Sequence, residues 1–212
     1  LCKKINFHLF LDKYVLTGGE HNNNEGDMNS FGLNCARMAG IDFHIVKRAS
    51  KIRSSIMKLQ HGLHLAYCTN IHRGESWEQT FQNLKTHALA VRRKVAPDQP
   101  YAIGLRLGQE AAQDLSQPRN LNAFKAWLNE NDCYVFTING FPYGKFHGTR
   151  VKEDVYRPDW TTQERLTYTK LLFDILVELL PEDVEGSVST VPVSYKEFIT
   201  NDRQIREARK NI

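Results

Sequence analysis

Residues 133–148 read Cys133-Tyr134-Val135-Phe136-Thr137-Ile138-Asn139-Gly140-Phe141-Pro142-Tyr143-Gly144-Lys145-Phe146-His147-Gly148. The first six are apolar or β-favouring and predict a buried strand over 133–138. The run stops at Asn139. A loop follows with glycines at 140, 144 and 148, an amide, three aromatic rings, a lysine and a histidine. A buried strand that releases a polar, aromatic loop at its C-terminal end is how α/β barrels and open α/β sheets build ligand sites.

The same alternation extends in both directions. Upstream, 59–68 predicts a first strand, with Leu59, His61, Leu63, Leu65 and Tyr67 on one face. A helix follows over about 76–95, with Trp77, Phe81, Leu84, Ala88 and Val91 at helical spacing. Pro97 and Pro100 close it. Residues 101–107 predict a second strand, Ala111–Leu115 a short helix, and 120–131 a longer one. Downstream, Val151–Trp160 reads as extended. Thr161 or Thr162 caps a helix running to about Leu180, and of the two only Thr161, with Glu164, has the capping-box spacing. Residues 186–191 predict a fourth strand and Tyr195–Ile212 a charged helix. Four β-loop-α units in order imply an α/β fold with parallel strands and right-handed crossovers. Four units are half of a (β/α)8 TIM barrel, and a partial barrel is the expected architecture.

Up to residue 56 no period is sustained, and His21-Asn22-Asn23-Asn24-Glu25-Gly26-Asp27 is loop-like. The expected division is therefore an N-terminal extension over 1–56, arising from upstream translation, and a main body over 57–212 that starts naturally at Met57. Residues 1–56 should be mostly irregular.

The 212 residues are 41% hydrophobic and 25% charged, ordinary values for a globular protein. The net charge of +4 is uneven: 1–56 carry eight basic and five acidic residues, and 57–212 carry 20 and 19. The near-neutral main body argues against nucleic acid as a partner, which needs a concentrated basic face. No apolar run reaches membrane-spanning length. Cys2, Cys35, Cys68 and Cys133 show neither CxxC nor zinc spacing. Reduced thiols in a cytoplasmic setting are expected, with Cys68 and Cys133 as small buried apolar residues.

Polar residues gather at the predicted strand ends, which converge on one mouth in a barrel. The first strand offers Asn70, His72 and Arg73; the second, Arg106, Gln109 and Glu110; the third, Asn139, Tyr143, Lys145 and His147; the fourth, Ser189, Thr190 and Ser194. His72 and His147 are the candidates for acid–base chemistry. Asn70, Arg73, Arg106, Asn139, Tyr143 and Lys145 are the candidates for binding. Arg106 interrupts an apolar strand and needs a partner. It either clamps a ligand's carboxylate or phosphate, or pairs internally with Glu110 or Glu75. Phe141, Tyr143 and Phe146 form either an aromatic wall or loop packing. His64 and His87 read as structural. The mixed run of Arg150, Lys152, Arg157 and Arg165 with Glu153, Asp154, Asp159 and Glu164 reads as a solvated face, from which Arg150 and Arg157 could reach the mouth. GxGxxG, Walker, HExxH and GxSxG motifs are absent. Glu110 alone is a fair carboxylate for a hard divalent ion, which wants several oxygens.

Long blocks carry a family resemblance. They are His64-Leu65-Ala66-Tyr67-Cys68-Thr69-Asn70-Ile71-His72-Arg73-Gly74-Glu75-Ser76-Trp77, Gly104-Leu105-Arg106-Leu107-Gly108, Thr137 to Gly144 with Phe146-His147-Gly148, Val151 to Trp160, and Ser187-Val188-Ser189-Thr190-Val191-Pro192. Together they resemble the EboE metabolite-traffic family of bacterial ebo gene clusters, within the xylose-isomerase-like TIM barrels. The resemblance covers about 57–212, the N-terminal half of that family. It implies a pathway protein that binds or processes a small secondary-metabolite precursor during export, with other ebo-cluster proteins as possible partners. Two alternatives accompany it: a divalent-metal-dependent sugar or sugar-phosphate isomerase or epimerase, and a non-catalytic binding or assembly barrel. In such barrels the metal ligands come mostly from later strands. The resemblance thus implies no metal ligands within this chain, a divalent metal only in a full-length protein, and an inactive chain when expressed alone.

Overall fold

The computed structural model describes residues 5–6, 57, 63–144 and 153–212. Five strands form one parallel sheet: β1 (Ile5–Asn6), β2 (Tyr67–Cys68), β3 (Tyr101–Arg106), β4 (Cys133–Asn139) and β5 (Gly186–Ser189). Their spatial order is β1-β5-β4-β3-β2. From β2 to β5 each strand lies beside its predecessor in the chain. Steady progression in one direction, with right-handed crossovers, brings the connecting helices to one face of the sheet. The helices are α1 (77–95), α2 (Gln109–Ser116), α3 (Pro118–Glu130), α4 (Gln163–Leu179) and α5 (Asp202–Asn211). This is a mixed α/β fold.

Burial follows the strand alternation. Tyr101, Ile103, Leu105, Val135, Ile138 and Val188 share one face by register and are sealed beneath the helices. They meet Leu84, Ala112, Leu115, Phe124, Leu172, Ile175 and Leu176 in the main core. The other face carries Ala102, Gly104, Arg106, Tyr134, Thr137, Asn139, Ser187 and Ser189, and toward β5 it is made of small polar residues. Neighbouring strands match across it: Ser187 Oγ donates to Thr137 Oγ1 (2.8 Å) and Ser189 Oγ to Asn139 Oδ1 (2.9 Å). A bulge between Ile103 and Gly104 leaves Phe136 as the extra residue of β4, and its ring lies 5.1 Å from His64.

The structure departs from the sequence reading in several places. Among the described residues of the predicted first strand, Tyr67–Cys68 form a strand and His64 an isolated bridge, while Leu63 and Leu65 are 62% and 56% exposed. β2 stands at one end of the strand order, beside β3. Cys68, expected to be buried, is exposed. Cys133 is buried as expected, and burial pushes its thiol up to about 11. The cap of α4 is Thr162, whose hydroxyl accepts from Arg165 N, and not Thr161, whose hydroxyl donates to Asp159 instead. The C-terminal segment splits into a 3-10 turn, Lys196–Phe198, and α5, whose N-cap Asn201 forms a complete capping box with Gln204. Val151–Trp160 was expected to be extended but contains a 3-10 turn, Asp154–Tyr156. Within 1–56, Ile5–Asn6 pairs in parallel with β5, so a fifth strand joins the four expected.

Gly140, where β4 leaves the sheet, is fixed by space. A Cβ there would run into Leu172 Cδ1 and lie 3.2 Å from Ser189 O. Leu172 is fully buried and has little room to retreat. Gly140→Ala should therefore lower stability by about 1–3 kcal/mol, as overpacking does. The urea midpoint measures it, and an unchanged midpoint would contradict the packing described.

Candidate functional site

The C-terminal ends of β2 to β5 carry the loops singled out from the sequence. After β2, Thr69–Ile71 make one 3-10 turn and His72–Glu75 lead to α1. Ser76 caps α1 by accepting from Gln79 N, and Gln79 Oε1 accepts in return from Glu75 N. Gly74 adopts φ +153°, a conformation that other residues rarely adopt, and in it offers its carbonyl to Arg106.

Arg106 is 5% exposed and joins two loops. Nη1 donates to Gly74 O (3.1 Å); Nη2 donates to Glu75 Oε2 and to Gly144 O (both 3.2 Å). Its main-chain N–H donates to Thr69 Oγ1 (2.7 Å). Of the two internal partners named from the sequence, Glu75 is seen to pair with it. The guanidinium ties the loop after β2 to the loop after β4.

His72 lies beside it. Its Nε2 meets Tyr67 Oη at 2.7 Å, and its ring stacks on His87 at 4.8 Å and 15°. His87 sits in a π turn, Leu84–Ala88, inside α1, a distortion often found at functional sites. Burial first, and then the His87 charge, hold the His72 imidazole below its ordinary value. His72, Arg73 and Arg106 share a cavity of about 10 Å³, room for one water-sized molecule.

Asn139 Oδ1 accepts from Ser189 Oγ and from Phe141 N (3.0 Å), so this amide sets both the strand ladder and the turn out of β4. The Asn70 Oδ1 and Thr190 Oγ1 atoms are buried without a hydrogen-bond partner among the described residues. Of the three aromatic residues of this loop, the two that are described, Phe141 and Tyr143, pack apart. Phe141 packs on Tyr156 in a second core with Trp160 and Val191, while Tyr143 meets Tyr168 edge-on at 5.0 Å. Lys145, Phe146 and His147 lie outside the described residues.

Two mouth residues escaped the sequence reading. Arg165, assigned there to a solvated face, is fully buried. Its Nε donates to Pro158 O (2.7 Å), Nη1 to Gly140 O (2.8 Å) and Nη2 to Phe141 O (3.2 Å). Burial lowers its guanidinium to about 10, which leaves it charged at neutral pH. Tyr168, one turn later, donates its hydroxyl to Leu107 O, and its burial raises the phenol strongly. The missed signal was spacing: 165, 168, 172, 175 and 179 make one helical stripe, with Arg165 at its head. Asp159, also taken as surface, is buried and accepts from Thr161 N, Thr161 Oγ1 and Ser194 Oγ.

Among the described residues no group of three His, Cys, Asp or Glu converges to hold a metal, and no helix is long and apolar enough to cross a membrane. Comparison with protein-family models, with curated proteins and with solved structures finds no match to this chain.

The depressed His72 value has a consequence for stability. The unfolded chain binds the proton near pH 6.5, and the fold binds it only at lower pH. The stabilising effect of a neutral His72 is therefore complete above about pH 6.5 and lost as pH falls through the folded value. Between pH 7.5 and 5 the melting temperature should fall more steeply for wild type than for His72→Gln, which keeps a polar partner for Tyr67. Parallel slopes would contradict this.

Proposed function

We propose that this chain contributes the metabolite-binding half of a (β/α)8 barrel of the EboE type and binds a small polar secondary-metabolite precursor during its traffic. The ligand lies on the sheet face that the helices leave uncovered, at the C-terminal ends of the strands. The observation that supports this most is the hydroxyl and amide ladder Thr137–Ser187 and Asn139–Ser189. A sheet face built of small polar groups, paired so that each keeps spare donor or acceptor capacity, suits a polar ligand better than an apolar partner. Singly wound strand order and the quoted sequence blocks support the barrel assignment.

In this reading Asn139, Ser189 and Asn70 contact the ligand. Arg106 acts mainly by holding the loops, and Arg73 and His72 line the approach. His72 and His147 are the groups for any acid–base step, and Lys145 is a further ligand-binding group. The protein works in the cytoplasm beside other ebo-cluster proteins. The isomerase or epimerase alternative needs metal ligands from a longer protein, and the assembly alternative needs no ligand at all.

Untargeted mass spectrometry of compounds released by heating the purified protein separates these readings. The binding reading predicts a small polar compound enriched over an Asn139→Leu control. Turnover of that compound only with added divalent metal would favour the isomerase. Equal recovery from both proteins, or none from either, would overturn ligand binding at the ladder.

A further inference from the structure

Asn139-Gly140 is the one Asn-Gly pair in the chain. Such a pair is open to a self-reaction, because glycine has no side chain to shield its nitrogen. The Gly140 nitrogen attacks the side-chain carbonyl carbon of Asn139 and loses its proton to solvent base. The new C–N bond closes a succinimide ring, and the amide nitrogen leaves as ammonia. Water then opens the ring at either carbonyl and leaves aspartate or isoaspartate at position 139.

The structure calls for both residues. Gly140 has no room for a Cβ beside Leu172 Cδ1. Asn139 Oδ1 accepts from Phe141 N (3.0 Å) and from Ser189 Oγ (2.9 Å), which shapes the turn out of β4. The same two donors polarise the side-chain carbonyl and face the oxygen that turns anionic during the attack. The electrophile is therefore primed.

The peptide group between the two residues is locked instead. Asn139 O accepts from Leu107 N (3.3 Å) on one side, and Gly140 N donates to Ser189 O (3.0 Å) on the other. Asn139 ends β4 as extended backbone. Bringing the Gly140 nitrogen onto Cγ means rotating this peptide group, which breaks both bonds. Arg165 Nη1 holds the next carbonyl, Gly140 O (2.8 Å), and so anchors the following peptide group as well.

We infer that Asn139-Gly140 is a latent deamidation site, primed by its side-chain contacts and held shut through the ends of β3 and β5 and through Arg165. Opening of the turn out of β4 releases the reaction, and the product is permanent. Aspartate replaces the amide donors with a negative charge. Isoaspartate adds a methylene to the main chain where β4 pairs with β5. Position 139 thus records how long the mouth has stood open, whatever the mouth binds.

Peptide mass spectrometry combined with isoaspartyl methyltransferase labelling, on the full chain at mildly alkaline pH, tests this. Wild type should lose the Asn139 amide at least about tenfold more slowly in buffer than in urea, a factor that breaking two ordinary hydrogen bonds readily supplies. Arg165→Lys, shown to be folded by circular dichroism, should lose it several times faster than folded wild type. If that variant does not fold, the ratio between buffer and urea decides alone. A ratio smaller than that tenfold, or a folded Arg165→Lys that deamidates at the wild-type rate, would overturn the assignment.

Discussion

Three main-chain carbonyls converge on one buried guanidinium. Arg165, in the first turn of α4, holds Pro158 O, Gly140 O and Phe141 O, and so pins the turn out of β4 to the start of the next helix. A buried charge survives only where hydrogen bonds replace its water, and removing it would also strand the carbonyls. The flat, forked shape of arginine reaches several acceptors at once; a lysine in its place is a single point charge. Tyr168 extends the same stripe by bonding Leu107 O at the end of β3. Leu172, Ile175, Leu176 and Leu179 then pack down the shaft of the helix. One helix face thus has a polar head that shapes the mouth and an apolar stem that fills the core.

Arg106 does the complementary task from within the sheet. It links the loop after β2 to the loop after β4, while Arg165 links the loop after β4 to the segment before α4. Two cations with internal partners set the positions of Asn139, Tyr143 and the His72 cavity. This division explains why the ligand-facing groups of the proposed site are neutral hydroxyls and amides. The arginines are occupied in holding the frame.

Strands β3, β4 and β5 and helix α4 were legible because each repeats one period over several residues, with proline or glycine at its ends. Parallel pairing followed from the βα order, and Glu75 was foreseen as one of two partners for Arg106. Contacts between distant segments were not legible. The stacking of His72 on His87 depends on how α1 lies over the loop after β2. The separation of Phe141 from Tyr143 depends on which core each ring finds. Arg165 was misread because a charged residue among charged neighbours resembles a surface run, although its spacing belonged to the buried stripe. Leu63 and Leu65 alternate like a strand, yet they are exposed.

Amide hydrogen–deuterium exchange in Arg165→Lys is the most direct measurement of the central claim, that a forked buried cation fixes the mouth. Exchange should accelerate selectively in residues 138–144, while the amides of 101–106 in the neighbouring strand β3 keep their wild-type protection. Unaltered exchange across 138–144 in the folded variant would show that the loop after β4 holds its shape without Arg165 and would contradict the account.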